Sequence, residues 1–268
     1  DMSFYNVIIF ILFLIYSLNV FSQETLDNKL YEKPYANNAL KSGKYFAREE
    51  TRNIELDEFE NPGMIWVERG KDLFNLQDGE NNSSCALCHK GDTNSLLGAA
   101  ASYPKVYKNQ LINLEQKINM CRKNNMNLPK YKLESNNLLS LSSFVSYISK
   151  GIPMNVSVAG KAEKYFKKGK EIFYQRIGQM NLACNQCHDE IAGSYLRAEK
   201  ISQGHINGFP SYLMRWEGIA SVHRRFQFCN NQARAQPLEI GHNDYNALQL
   251  YVAWRGNGLP IETPSVRR

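Results

Sequence analysis

Gly70-Lys71-Asp72-Leu73-Phe74 stands fifteen residues before Cys85-Ala86-Leu87-Cys88-His89, and Gly169-Lys170-Glu171-Ile172-Phe173 stands fifteen before Cys184-Asn185-Gln186-Cys187-His188. The same frame therefore recurs at an offset of 99 residues. Further along, Leu141, Phe144, Val145, Tyr147 and Gly151-Ile152-Pro153 match Leu248, Tyr251, Val252, Trp254 and Gly258-Leu259-Pro260 at an offset of 107. The second copy has gained about eight residues between its two ends.

Within each copy the apolar spacing is helical. Leu138, Leu141, Val145 and Ile148 fall on one face, as do Tyr245, Leu248 and Val252, and a Gly followed by a Pro ends each segment. Gly160 to Tyr174 carries another helical pattern, and alternating runs bounded by hairpin turns are scarce. The expected fold is mostly α: two small tandem domains related by internal duplication, over residues 61–155 and 156–268, preceded by a polar N-terminal arm over 23–60; their Cys-x-x-Cys-His sequences, read as haem-attachment sites, make them cytochrome c-like.

In Cys-x-x-Cys-His the two sulfurs sit three residues apart, so one helical turn points both the same way, and the adjacent His reaches a metal between them. This is the attachment sequence of a c-type haem, bound through thioethers to both vinyl groups. A CxxC alone also serves redox or zinc chemistry. Two copies, each with its His and each inside a matching unit, favour two covalently bound c-type haems. Cys85, Cys88 and His89 hold the first; Cys184, Cys187 and His188 hold the second.

Cys121 and Cys229 are left over. They lie 32 and 31 residues before Pro153 and Pro260, in corresponding places downstream of their own haem motifs. A disulfide between them is one arrangement, favoured by an oxidising compartment. Ligation of each iron by its own cysteine is the other, because equivalent positions in two repeats face two separate sites. His205, His223, His242 and Met120, Met126, Met154, Met180 and Met214 are further candidates, yet none forms a repeat-equivalent pair; Met154 aligns with Ile261. A thiolate ligand stabilises ferric iron and lowers the reduction potential. Arg225 precedes Cys229 by four, on the same side of a helical turn, where its guanidinium can hold an oxyanion by paired hydrogen bonds.

Val7 to Tyr16 is an unbroken apolar run of ten, short of the roughly 20 residues that span a bilayer and suited to a secretory signal core. Residues 1–22 are read as a signal peptide, with Val20 and Ser22 at the minus-three and minus-one positions of a cut before Gln23. Export to the periplasm and no stable membrane insertion after cleavage follow as expectations. The whole chain has 32 basic and 26 acidic residues. Removing residues 1–22 takes away Asp1 and no base, leaving 32 against 25 and a formal charge of +7. That excess suits an anionic substrate or acidic partner but forms no nucleic-acid-binding stripe. A hydrophobic fraction of 43% with 22% charged residues excludes a disordered tail and a multispanning membrane protein.

Three stretches carry a resemblance to a known family: Ala183-Cys-Asn-Gln-Cys-His-Asp189, Arg225-Phe-Gln-Phe-Cys-Asn230 with Gln232-Ala-Arg234, and Tyr251-Val-Ala-Trp-Arg-Gly-Asn-Gly-Leu-Pro-Ile-Glu-Thr-Pro264. Together with Leu114-Glu-Gln-Lys-Ile-Asn-Met-Cys-Arg122, they make the chain from about Gly63 onward similar to SoxA, the catalytic subunit of the SoxAX cytochromes of bacterial sulfur oxidation. The resemblance implies an L-cysteine S-thiosulfotransferase that joins thiosulfate to a cysteine of the SoxYZ carrier and passes two electrons to c-type haem. It implies Cys229 as the catalytic cysteine, a persulfide that also ligates the second haem, Arg225 as the substrate-binding arginine, and Cys121 as the distal ligand of the first haem. It also implies the monohaem cytochrome SoxX as partner. Against it stand a dihaem electron carrier without sulfur-transferase activity and a dihaem peroxidase, which needs an open iron position.

Overall fold

A computed structural model describes residues 31–34 and 39–268. The signal-peptide reading of residues 1–22 falls outside them. The chain divides into two units, Asp1–Ala39 and Leu40–Arg268, and the fold described here is that of the second. Among the described residues, no helix is long and apolar enough to cross a membrane.

Two helix pairs form the centre. Helix α2 (Met64–Asn75) crosses α5 (Asn136–Ile148), and α6 (Glu163–Tyr174) crosses α8 (Asn243–Arg255). Each crossing is made at a glycine. A Cβ on Gly70 would lie 2.0 Å from the Ser140 carbonyl oxygen, and a Cβ on Gly169 would lie 2.0 Å from that of Ala247. Hydrogen is the only side chain that fits either place. One turn on, Phe74 meets Phe144 with ring centroids 5.4 Å apart, and Phe173 meets Tyr251 at 5.2 Å. The two pairs therefore pack in the same manner, with an aromatic contact next to a backbone contact.

Along the chain, α3 (Cys85–Cys88) and α4 (Leu114–Asn125) fall between α2 and α5, α7 (Val222–Gln232) falls between α6 and α8, and α1 (Glu49–Leu56) precedes them all. Helix α4 begins with a capping box: the Asn113 side chain accepts from the Gln116 N–H at 2.9 Å, and the Gln116 side chain accepts from the Asn113 N–H at 3.0 Å. Ser221 caps α7 by accepting the Arg224 N–H at 3.2 Å.

The β structure is short, and its three-stranded sheet is largely buried. Strands β1 (Lys105–Tyr107) and β2 (Gln110–Ile112) make a hairpin whose two turn residues, Lys108 and Asn109, both have positive φ, as a type I′ turn demands. Strands β3 (Tyr195–Leu196) and β4 (Glu199–Lys200) make a second hairpin. Strand β5 (Ser211–Leu213) pairs antiparallel with β6 (Gly218–Ala220) and parallel with β7 (Ser265–Arg267), which brings the end of the chain into a three-stranded sheet. The segment from Leu40 to Asn61 lies along that end. Glu55 accepts the Val266 N–H at 3.0 Å and pairs with Arg267, Lys44 pairs with Glu262 at 2.8 Å, and the Asn61 amide donates to the Pro264 carbonyl at 2.9 Å.

The two Gly-x-Pro stretches meet each other. Pro153 and Pro260 form an antiparallel bridge, flanked by backbone bonds from Gly151 N to Ile261 O, Ile261 N to Ile152 O, Met154 N to Leu259 O and Gly258 N to Met154 O, all at 2.8 or 2.9 Å. Gly151 and Gly258 have φ of 85° and 98°, a region that other residues enter at a cost. The Asn257 side chain closes the joint by accepting the Val156 N–H at 2.9 Å and donating to the Val156 carbonyl at 3.1 Å.

Adding one methyl group at either helix crossing forces the helix backbones apart. Gly70→Ala and Gly169→Ala are each expected to lower unfolding free energy by about 1–3 kcal/mol, the usual cost of overpacking. Lys71→Ala on the exposed face of α2 should stay within about 0.5 kcal/mol of the parent. Urea unfolding curves of the three variants check this, and equal stability of all three would show that the crossings can relax.

Candidate functional site

The first Cys-x-x-Cys-His begins at Ser84, whose hydroxyl accepts the Leu87 N–H at 3.0 Å and winds Cys85–Cys88 into a single helical turn. That turn sets both sulfurs on one side. His89 follows, its ring 5.9 Å from that of Phe74 and its Nδ1 3.0 Å from the Ser95 hydroxyl. Upstream, Asp78 and Ser83 pair across a tight turn, and Arg122 reaches over to hold it, 3.5 Å from the Asp78 carboxylate and 3.7 Å above the Tyr131 ring. Arg122 neighbours Cys121 on α4, so one helix carries both the candidate distal cysteine and the clamp on the attachment loop.

The second Cys-x-x-Cys-His is wound differently. Helix begins at Cys184 and Asn185 and widens to a π turn over Gln186–Glu190, a rare form that is frequent at functional sites. The Gln186 side chain caps its start by accepting the Ala183 N–H at 2.8 Å. His188 Nδ1 lies 2.8 Å from the Ser202 carbonyl oxygen, which can only accept, so Nδ1 carries the proton and Nε2 is left unprotonated, in the form that can hold a metal. Gly204 is pressed against the ring: a Cβ there would sit 2.8 Å from the imidazole Cγ. Asp189, next in the chain, pairs with Arg255 at 2.6 Å and accepts from the Tyr174 hydroxyl at 3.3 Å. The Arg255 guanidinium is fully buried, lies 4.2 Å over the Phe173 ring and donates to the Gln203 carbonyl at 3.2 Å.

All six cysteines are free, so Cys121 and Cys229 are not joined to each other. Each lies in the field of its own attachment motif. Cys85, as a thiol, is pushed up to about 11 by burial and further by Cys121 and Cys88, while Arg122 pulls the other way. Burial also raises Cys121, opposed by the Lys117 ammonium and reinforced by Cys88. In the second half burial pushes the Cys184 thiol up to about 12, with Cys229 the next contributor, and Cys187 is raised by burial and then by Cys229. His188 is held down at about 4, first by desolvation and then by the positive charges of Arg255 and Arg225, against the Ser202 carbonyl. A neutral imidazole is the form that binds metal. The structure thus brings Cys229 and Arg225 to Cys184, Cys187 and His188, and Cys121 to Cys85 and Cys88.

This donor set fits covalent haem. In each half it offers two thiols on one turn, an imidazole oriented through Nδ1, and a further thiol from a separate helix. Arg225 sits on α7 one turn before Cys229, with its guanidinium 5.1 Å over the Phe228 ring. Arg224 stacks over Trp216 at 4.6 Å and Arg215 over Phe228 at 5.1 Å. The remaining histidines have other work. His223 is buried between Phe226 and Tyr245 and accepts the Gly241 N–H at 3.0 Å, His242 caps α8, and His205 faces Gln203 at 3.2 Å. Met154 is core.

Sequence reasoning passed over Arg255, Asp189, Ser202 and Gly204 as members of the site. Asp189 and Arg255 both stand inside stretches that carry the family resemblance, and that position is the one signal they gave. Ser202 and Gly204 gave none.

Fold and site together define a c-type cytochrome. Residues 69–154 match the family model described as SoxA/TsdA, cytochrome c domain. The chain is 40% identical over 230 residues to the L-cysteine S-thiosulfotransferase subunit SoxA of Pseudaminobacter salicylatoxidans, covering 85% of this chain and 80% of that protein. It is 41% identical over 228 residues to the protein of the same name from Paracoccus pantotrophus, covering 84% and 78%. The crystal structure of SoxXA from P. pantotrophus superposes with a TM-score of 0.82 at 40% identity, covering 85% of this chain and 87% of that one. The chain belongs to the SoxA family of L-cysteine S-thiosulfotransferase subunits.

The buried pair of Arg255 and Asp189 sets a test of the second half's frame. Arg255→Met strands the Asp189 carboxylate, 13% exposed, without its cation and should cost about 3–5 kcal/mol. Arg255→Met combined with Asp189→Leu should recover most of that loss. Chemical denaturation of the single and double variants measures the coupling; additive losses would mean that the two side chains act independently.

Proposed function

We propose that the protein is the catalytic subunit of a haem-containing thiosulfotransferase that joins thiosulfate oxidatively to a cysteine of the SoxYZ carrier. In the net reaction thiosulfate and the carrier thiol give a carrier cysteine S-thiosulfonate, one proton and two electrons, with a new sulfur–sulfur bond formed and the sulfur pair oxidised. The observation that carries this reading is the position of Arg225 and Cys229, one turn apart on α7 and close to Cys184, Cys187 and His188.

Each residue's part follows from its chemistry. Arg225 presents a planar fork that matches two sulfonate oxygens, and its fixed charge lowers the cost of bringing a dianion toward the Cys229 sulfur. The Phe228 ring beneath the guanidinium limits how far that fork can turn. Cys229 is the sulfur to which the outer sulfur of thiosulfate bonds, with loss of one proton and two electrons; the carrier thiolate then attacks that outer sulfur, takes the whole sulfane-sulfonate group and releases Cys229 as thiolate. The Ser202 carbonyl and Gly204 fix the His188 ring from behind, so that Nε2 is presented without rotation. A haem held by these residues supplies an electron acceptor beside the reacting sulfur.

Two covalent haems belong to the same reading, one on Cys85, Cys88 and His89 with Cys121 as distal ligand, the other on Cys184, Cys187 and His188 with Cys229. So do two cytochrome c-like domains, 61–155 and 156–268, related by internal duplication. The shared placing of Gly70 and Gly169 and of the two Gly-x-Pro stretches supports that reading. The electron-accepting partner is the monohaem cytochrome SoxX, as the SoxXA complex of P. pantotrophus suggests. The apolar run from Val7 to Tyr16 supports a signal peptide over 1–22 and a periplasmic location.

The reading is tested with purified complex, thiosulfate, carrier and an electron acceptor, following the mass of the carrier conjugate. Cys229→Ser is expected to abolish conjugate while both covalent haems stay attached, and Arg225→Ala to lower kcat/KM by about a hundredfold, in the range of a lost charge-stabilising donor. A Cys229→Ser protein that forms conjugate at the parent rate would exclude sulfur transfer at this position.

A further inference from the structure

Helices α4 and α7 are built to one plan. Each is capped by a side chain that accepts the N–H three residues on, Asn113 from Gln116 at 2.9 Å and Ser221 from Arg224 at 3.2 Å. Eight residues beyond each cap stands the cysteine, Cys121 or Cys229, and four beyond each cap stands a cation, Lys117 or Arg225. Under each cation lies an aromatic ring, Tyr107 at 4.2 Å from Lys117 Nζ and Phe228 at 5.1 Å from the Arg225 guanidinium. The first half therefore has its own counterpart of the Arg225 and Cys229 pair.

The two cations differ in what they can do. Arginine offers a planar fork suited to an oxyanion, whereas lysine is a compact point charge with no such geometry. At an i, i+4 spacing a point charge one turn before a sulfur acts chiefly on that sulfur. Lys105, over Tyr103 at 4.5 Å, adds a second ammonium to the neighbourhood; burial lowers its pKa, and the charge of Lys117 lowers it further.

We propose that Lys117 is a positioning residue that compensates negative charge on the Cys121 sulfur as distal ligand of the first haem, and that it thereby sets the potential of that haem alone. This rests on the reading that Cys121 ligates the first haem. Ferrous iron carries one positive charge fewer than ferric, so a nearby cation favours the ferrous form and its removal lowers the potential. Lys117 thus keeps a thiolate-ligated haem within reach as an electron relay, while Arg225 in the equivalent place serves substrate.

The test is a redox titration of the haem-loaded full chain in complex with its monohaem partner, followed by optical and electron paramagnetic resonance spectra. In Lys117→Met the first haem should have its ferric-to-ferrous ratio at the parent midpoint raised about tenfold, a fall of about 59 mV for a one-electron couple, while the second haem keeps its midpoint. Lys117→Arg, which retains the charge, should keep both midpoints. Lys123→Met removes an equal charge from the exposed side of α4 and should leave the first haem within a small fraction of that shift. An unmoved first-haem midpoint in Lys117→Met, or an equal fall in Lys123→Met, overturns the proposal. Cys121→Ala identifies the first haem by the low-spin signal it removes; if no signal changes, Cys121 is not a ligand, and the underlying reading falls together with the role of Lys117.

Discussion

Backbone contact at two glycines governs the rest of this molecule. Helices that cross with ordinary side chains between them stand about 8–10 Å apart; at Gly70 and Gly169 the partner carbonyl occupies the volume of a missing Cβ. Close approach at that level locks the crossing points of α2 on α5 and of α6 on α8. The attachment motifs follow fifteen residues after each glycine, so the position of each cysteine turn is referred to a crossing that has almost no play. The aromatic contacts one turn on, Phe74 with Phe144 and Phe173 with Tyr251, add directional packing.

On this common frame the two halves are finished differently. His89 leans on a serine hydroxyl, which can accept or donate, and the loop before it is tied to α4 through a partly exposed pair, Arg122 with Asp78. His188 leans on a carbonyl, which fixes the tautomer, and its turn is braced by a guanidinium with no exposure to water. Burying that charge is tolerable because Asp189, the Gln203 carbonyl and the Phe173 face all meet it. The half that carries Arg225 and Cys229 is thus the more rigidly defined around its histidine, which suits a site where reacting atoms must meet in one geometry.

Much of this was readable in the chain itself, for local reasons. The helical stripes of α5 and α8 repeat within one turn, and Cys-x-x-Cys-His carries its chemistry in five consecutive residues. What escaped was long-range or too short to show a period. The sheet of β5, β6 and β7 is made of three-residue strands, and Ser211 finds Ser265 54 positions away; no alternation can develop over three residues. The pairing of Arg255 with Asp189 depends on α8 lying against α6, which no local pattern announces. The recurrence of Gly70 and Gly169 was visible, but only the fold shows that each glycine is a point of contact between backbones.

The joint between Gly151–Met154 and Gly258–Ile261 ties together two stretches more than a hundred residues apart in the chain. Four main-chain bonds and the Asn257 side chain stitch equivalent stretches of the two halves together edge to edge. Moving these stretches apart would cost all six hydrogen bonds together, so each stretch is held in one register against the other.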